Sequence, residues 1–336
     1  MAQQRGVRRS AEVTPGLAQL RGYRPAWLRA DVLAGVAVTA YLVPQCLAYA
    51  DLAGVPAANG LWVAVIAMIV YALLGTSRLL SVGPESATAV MVAAAVAPLA
   101  AGDGARYLAL AAALAILVGL VCVGAFALRL GFVADMLSQP ILIGYMAGVA
   151  LIMIASQLGT LTGVPLSAED SIGQVIELAG RLDEVQPVSL ALGIGVLAFL
   201  LVLARLRPLA PGTLIAVVGA AVLVALLGLE GDGIAVVGPV PGGLPAPALP
   251  SVAVSDVTAL IGSAAAVTLV GYSDVMLSGR AFARRNGERI DPNRELLALG
   301  GANLVAGLTG GFPLSASGSR TAIIDAMRAH SQLAGL

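Results

Sequence analysis

The sequence predicts an all-α membrane protein in which most segments cross the bilayer whole and two are broken half-helices. Three observations predict it. Hydrophobic residues fill 59% of the 336 positions and charged residues only 11%, against roughly 25% charged in an ordinary water-soluble domain. Ten apolar runs follow one another, several of them near the roughly 20 residues a helix needs to cross about 30 Å of hydrocarbon. Two of the runs, opening at residues 81–90 (SVGPESATAV) and 314–323 (LSASGSRTAI), are weak copies of each other. A break recurring at corresponding positions of two membrane repeats points to a transporter's binding site.

The runs lie near 32–50, 58–75, 81–101, 106–128, 136–160, 188–206, 210–228, 257–279, 295–310 and 315–330. They continue in Ala, Leu, Val and Gly without the two-residue alternation of a membrane β-barrel. Residues 1–31 are polar and arginine-rich. They lack the short apolar core and small-residue cleavage site of a signal peptide, so they read as a cytoplasmic tail. In the first run Pro44 removes a backbone donor and should distort the helix beside Gln45, with Tyr49 four residues on sharing its face. The alternative for Gln45 is a side chain that bonds the carbonyl Pro44 frees. The third and tenth runs open on Gly- and Ser-rich stretches. Aligning Ser86-Ala87-Thr88-Ala89 with Ser319-Arg320-Thr321-Ala322 sets both breaks just ahead of a helix. Connections 161–187 and 229–256 are acidic or Pro-rich, and 171–184 reads as an amphipathic surface helix.

Charge sets the direction. All 19 basic residues are arginines. Six fall in the tail, and Arg78, Arg129, Arg205, Arg207, Arg280, Arg284, Arg285, Arg289, Arg294 and Arg328 fall in alternate loops. Only Arg106 and Arg181 land on the other side, which predicts a cytoplasmic N-terminus and a multi-pass plasma-membrane protein. The arginine cluster lies beside a span and carries no stacking aromatics, so nucleic acid is not expected as a partner. Cys46 and Cys122 fall inside spans without a metal-ligand spacing, and His330 stands alone. No cofactor, metal or catalytic motif is expected, and the chain reads as no enzyme.

Charged side chains inside spans cost about 2.5–3.5 kcal/mol on insertion scales and are functional candidates by default. They are Glu85, Asp274, Arg320 and, nearer a membrane face, Asp325. Glu85 can serve an anion site or cap its own helix. Asp274 shares a face with Gly271 and Ser278, at i−3 and i+4, and can line a cavity or pair structurally. Arg320 can face an anion or neutralise a carboxylate in the bundle.

Four stretches carry a family resemblance: 31–62 (DVLAGVAVTAYLVPQCLAYADLAGVPAANGLW), 75–91 (GTSRLLSVGPESATAVM), 137–151 (LSQPILIGYMAGVAL) and 271–322, which begins GYSDVMLSGRAFARRNGERIDPNRELLALGG and ends GGFPLSASGSRTA. On them the chain resembles the sulfate permease (SulP) family of anion transporters, over nearly its whole length. The resemblance implies seven plus seven segments in inverted repeats, a core and a gate domain, and elevator-like alternating access. Mapped here, it implies core residues 32–128 and 229–336 around gate residues 129–228. Members usually continue through four further segments and a cytoplasmic STAS domain, whereas this sequence stops just after the tenth. Relatives commonly dimerise.

The resemblance also assigns roles. Gln45 and Tyr49 match pocket positions of the first segment, and Ser86 with the backbone from Gly83 matches the start of the third. Asp274 falls where many members place a glutamate, with Ser278 following on its face. Ser315, Ala316 and Ser317 match the stretch implicated in coordinating a coupling cation, and Ser317, Ser319 and Arg320 lie beside the anion.

Two facing half-helix N-termini favour an anion by their free amides and dipoles. Glu85 and Asp274 against Arg320 leave the empty pocket at a formal charge of minus one, so a proton or sodium ion is expected to enter with the substrate. Sulfate, bicarbonate and dicarboxylates remain open as substrates, with sulfate preferred. A passive anion channel and a non-transporting membrane scaffold are the competing functional classes.

Overall fold

A computed structural model of the chain describes residues 15–136, 144, 147–148, 150–152, 154–155, 157–166, 168, 171–207, 210, 212–232, 234 and 245–336. It divides into two compact units, Met1–Ser138 with Pro241–Leu336, and Gln139–Val240. The fifth apolar run, 136–160, and the 137–151 stretch lie largely outside the described residues, as do residues 1–14 and much of 229–256.

The first unit carries the helices α1 (Pro15–Arg21), α2 (Leu28–Leu52), α3 (Ala57–Leu74), strand β1 (Ser81–Gly83), α4 (Ser86–Ala100) and α5 (Gly104–Ala127). The numbering continues within this unit, after four helices of the other, with α10 (Val254–Arg285), α11 (Pro292–Leu308), strand β2 (Ser315–Ser317) and α12 (Gly318–Ala326). Among the described residues five helical stretches, including α2, α3, α5 and α10, are long and apolar enough to cross a membrane. The two expected half-helices are present as such. At about 1.5 Å per residue, the 15 residues of α4 and the 9 of α12 each fall short of the hydrocarbon thickness.

Helix α2 runs from Leu28 to Leu52 with Pro44 buried inside it. Part of the expected tail is held against the first unit. Helix α1 packs on α3, where a methyl added to Gly16 would collide with the Ala72 carbonyl oxygen, and Gln19 Nε2 donates to the Thr76 carbonyl at 2.9 Å.

The all-α fold holds one small sheet among the described residues. β1 and β2 pair antiparallel, with Ser81 opposite Ser317, Val82 opposite Ala316 and Gly83 opposite Ser315. Three residues are too few to show a period of two, so nothing in the pattern announced them. All six are buried, as non-helical backbone at membrane depth must be.

The core around this sheet is built from small residues. Helix α11 packs most extensively against α5 and then α3, and Gly119, Gly300 and Gly307 let the α5 and α11 backbones approach closely. Tyr272 on α10 is buried, and its hydroxyl shares its one proton between the carbonyls of Gly131 at 2.7 Å and Pro292 at 2.8 Å. That bond draws the stretch Leu130–Met136 onto this unit. The contacts divide the two units at residues 139 and 241.

The second unit holds α6 (Leu158–Thr162), α7 (Ser171–Gly180), α8 (Pro187–Leu206) and α9 (Gly212–Leu227). The amphipathic helix expected at 171–184 is α7 followed by a short 3-10 turn, Leu182–Glu184. Arg181 bridges Glu177 at 3.0 Å and Glu184 at 2.6 Å. The guanidinium holds the exposed Glu184 carboxyl below its ordinary value.

Gly307→Ala is expected to lower the melting temperature of the purified protein, with a loss of about 1–3 kcal/mol typical of overpacking. The added carbon would stand 2.6 Å from the Ala112 carbonyl and 2.9 Å from the Ile116 amide, and backbone cannot give way as a side chain can.

Candidate functional site

The site is assembled from the two chain breaks and the helices that hold them. Asn303, fully buried on α11, fixes the approach to β2. Its Nδ2 donates to the Leu314 carbonyl at 3.2 Å and its Oδ1 accepts from the Leu314 amide at 3.0 Å. Ser315 Oγ then donates to the Gly271 carbonyl on α10 at 2.7 Å. On the other strand, the Ser81 amide donates to Thr321 Oγ1 at 3.1 Å, and that hydroxyl donates in turn to the Ser317 carbonyl at 2.7 Å. Helix α12 is therefore tied to the strand that precedes α4.

Arg320 is fully buried and runs between the two breaks. Its Nε donates to Ser81 Oγ at 3.1 Å and its Nη1 to the Pro84 carbonyl at 2.8 Å and to Gln45 Oε1 at 3.3 Å. Nη2 has no hydrogen-bond partner among the described residues. A methyl added to Gly83 would stand 3.4 Å from that nitrogen. No carboxylate lies within ion-pair distance of Arg320 among the described residues, and Glu85 acts on it only at longer range. Gln45 turns its oxygen to the guanidinium, so that oxygen is not idle beside a kink.

The sequence-derived candidates come together in two layers. Gly83, Ser315, Ala316, Ser317 and Arg320 are buried, whereas Gln45, Tyr49, Glu85, Ser86, Asp274 and Ser278 are half-buried and Ser319 is exposed. Ala316 offers no side-chain oxygen, and its methyl packs in the apolar core. Ser317 caps α12, its Oγ accepting from the Arg320 amide at 3.4 Å and lying 3.0 Å from Ser319 Oγ. Ser278 lies across from this start, where a methyl on Gly318 would approach its Oγ to 3.1 Å. Tyr49 meets Ser86 and stands within electrostatic reach of Glu85 and Arg320. Asp274 faces the charge of Glu85 and makes no hydrogen bond or ion pair among the described residues.

Free amides at both half-helix starts were expected, and α4 departs from this. Glu85 is its cap: Oε2 accepts from the Ala87 amide at 2.7 Å and the Thr88 amide at 3.3 Å, and Oε1 from Ser86 Oγ at 2.7 Å. Asp325 also moves out of the candidate set, since it pairs with Arg285 at 2.9 Å and accepts from Asn286 Nδ2 at 2.8 Å. Cys46 and Cys122 are buried free thiols.

Among the described residues the most deeply buried carboxylates, Glu295 and Asp31, escaped the sequence. Glu295 on α11 accepts from the Tyr71 hydroxyl at 2.6 Å, the Thr76 amide at 2.9 Å and the Thr76 hydroxyl. It thereby clamps the turn that leads from α3 into β1. At the head of an apolar run it reads only as an acid favoured by the helix dipole. Asp31, counted in the tail, lies in the first turn of α2 and accepts from the His330 amide and Ser331 Oγ, both at 2.6 Å. Between α10 and α11, burial pushes the Glu288 carboxyl up from its ordinary value, against the pull of Arg78 at 3.5 Å.

A family model described as the sulfate permease family matches residues 28–336. A protein of Mycobacterium tuberculosis (strain ATCC 25618 / H37Rv), named "Probable sulfate transporter", is 50% identical over 327 residues, 97% of this chain and 58% of its own length. The human solute carrier family 26 member 6 is 34% identical, over 92% of this chain and 44% of its own. Among solved structures, SLC26A9 superposes with a TM-score of 0.90 at 25% identity, covering 97% of this chain and 55% of that one. The transmembrane domain of a cyanobacterium bicarbonate transporter, BicA, superposes with a TM-score of 0.85 at 26% identity, covering 94% and 81%. The chain thus spans little more than half the length of its first relatives.

Glu295→Ala is expected to destabilise the fold by about 1–3 kcal/mol for each buried donor left without an acceptor. The Tyr71 hydroxyl and the Thr76 amide and hydroxyl are the three donors concerned, and thermal unfolding of the purified variant measures the loss.

Proposed function

The chain belongs to the sulfate permease family, and on that footing we propose that it carries the anion-binding core of a secondary active transporter, with sulfate the preferred substrate. One observation carries the reading: Arg320 is a fully buried guanidinium with no carboxylate partner and one nitrogen unbonded among the described residues. A buried charge is costly unless it is paired, so an anion arriving between the half-helices supplies what the protein leaves out. The starts of α4 and α12 add their dipoles, each worth up to about 2 kcal/mol in partly buried geometry.

The substrate anion is held by Arg320 Nη2, by the open first-turn amides of α12, and by the hydroxyls of Ser86, Ser317 and Ser319, with Gln45 and Tyr49 completing the wall. Sulfate is favoured by the 50% identical mycobacterial relative, named as a probable sulfate transporter. Bicarbonate, named for a structure at 26% identity, is the next substrate to try.

Asp274 is the coupling residue in this proposal. It is a half-buried carboxylate without a hydrogen bond or ion pair among the described residues, and it faces Glu85. Binding a proton, or a sodium ion shared with Ser278, Ser315, Ser317 and the main chain of Ala316, cancels the excess negative charge as substrate enters. Transport then proceeds by elevator-like movement of residues 32–128 and 229–336, the core of a seven-plus-seven inverted repeat, against a gate of residues 129–228. A homodimer in a bacterial plasma membrane, with its N-terminus in the cytoplasm, completes the picture.

Labelled sulfate uptake into proteoliposomes tests the coupling. Uptake is expected to rise with an inward proton or sodium gradient, and flux indifferent to both gradients marks a passive channel. Arg320→Ala is expected to weaken sulfate binding at least tenfold while Cys122→Ala leaves it unchanged. Equal affinities in those two variants return Arg320 to a structural role.

A further inference from the structure

The two half-helix starts are not equivalent. Helix α12 is capped by a neutral hydroxyl, Ser317 Oγ, but α4 is capped by a full negative charge. Glu85 reaches back so that one carboxylate oxygen takes the Ala87 and Thr88 amides and the other takes the Ser86 hydroxyl. Those are the donors with which a helix start holds an anion's oxygens. The side chain is half-buried rather than sealed, so it can leave as well as stay.

Capping alone does not call for glutamate. Ser, Thr, Asp and Asn are the residues preferred at this position, because their short side chains meet the second and third amides directly. Glutamate reaches the same amides through one more methylene and keeps a rotamer that swings clear. The groups facing it from other elements are Tyr49 on α2, Arg320 on α12 and Asp274 on α10. None of them forms an ion pair with it among the described residues.

We propose that Glu85 is a tethered competitor for the anion site: in the empty protein its carboxylate occupies the α4 donors, and the substrate anion binds by displacing it. The inference rests on the anion-transport reading above and adds a residue that sets how weakly the site holds its cargo. A built-in competitor lowers affinity without removing a single donor, which lets a carrier release what it binds. It also makes the penalty depend on ligand charge, because the displaced carboxylate stays nearby and repels a dianion more than a monoanion.

Isothermal titration of the purified chain in lipid nanodiscs, with potassium sulfate and separately with potassium nitrate, tests this. Glu85→Gln is expected to bind sulfate about tenfold more tightly than the unaltered chain, with a smaller gain for nitrate. The same variant, empty, is expected to melt at a lower temperature because its cap is weaker. A group needed only for structure cannot give that opposition of tighter binding and lower stability. Glu85→Asp keeps both charge and cap and is expected to give no tightening. Sulfate binding that is unchanged or weaker in Glu85→Gln, while the unaltered chain still binds, overturns the competitor and leaves the transporter reading standing. Absence of anion binding in every form overturns both.

Discussion

Backbone that leaves the helix inside a membrane must find its hydrogen-bond partners within the protein, since the lipid offers none. This chain breaks twice, and each break satisfies the other. β1 and β2 pair over three residues, and the side chains around them repeat the exchange: Thr321 accepts from the Ser81 amide, Arg320 donates to Ser81 and Pro84, and Asn303 holds Leu314 at both its amide and its carbonyl. The rest of the first unit serves that crossing. Glycines of α5 and α11 bring two helices close behind it, and Glu295 pins the turn that leads into it.

Once the breaks are paired, the electrostatics follow. Two helix starts and a guanidinium converge on one small volume, and the protein supplies fewer negative charges at bonding distance than that concentration of positive potential invites. Arg320 is satisfied by neutral oxygens on Ser81, Pro84 and Gln45. Glu85 spends its charge on its own helix. Asp274 stands apart with no partner of opposite sign among the described residues. Among the described residues the site thus holds one cation and one carboxylate, neither at ion-pair distance from an opposite charge.

Much of this was legible in the sequence because its causes are local. Length and hydropathy of each run gave the spanning helices, and the Gly- and Ser-rich openings near residues 83 and 318 marked the broken ones. Gln45, Ser86 and Arg320 stood out because polar groups at membrane depth are expensive. What stayed hidden depends on partners far along the chain. Glu295 looks like an ordinary acid in a first turn until Tyr71 and Thr76 arrive from more than two hundred residues away. Asp31 looks like tail until His330 and Ser331 fold onto it. Asp325, conversely, looked like a site residue until Arg285 claimed it.

The sequence by itself determined that the chain lives in a bilayer, that its third and tenth segments are half-helices, and which polar residues lie at depth, because each of these follows from composition over one short window. Tertiary structure alone decided that the two breaks pair strand to strand, that the Arg320 guanidinium lies between them without a counter-charge, and that Glu85 turns onto its own amides. Those outcomes depend on where atoms meet after hundreds of intervening residues have packed, and no local pattern encodes a meeting of that kind.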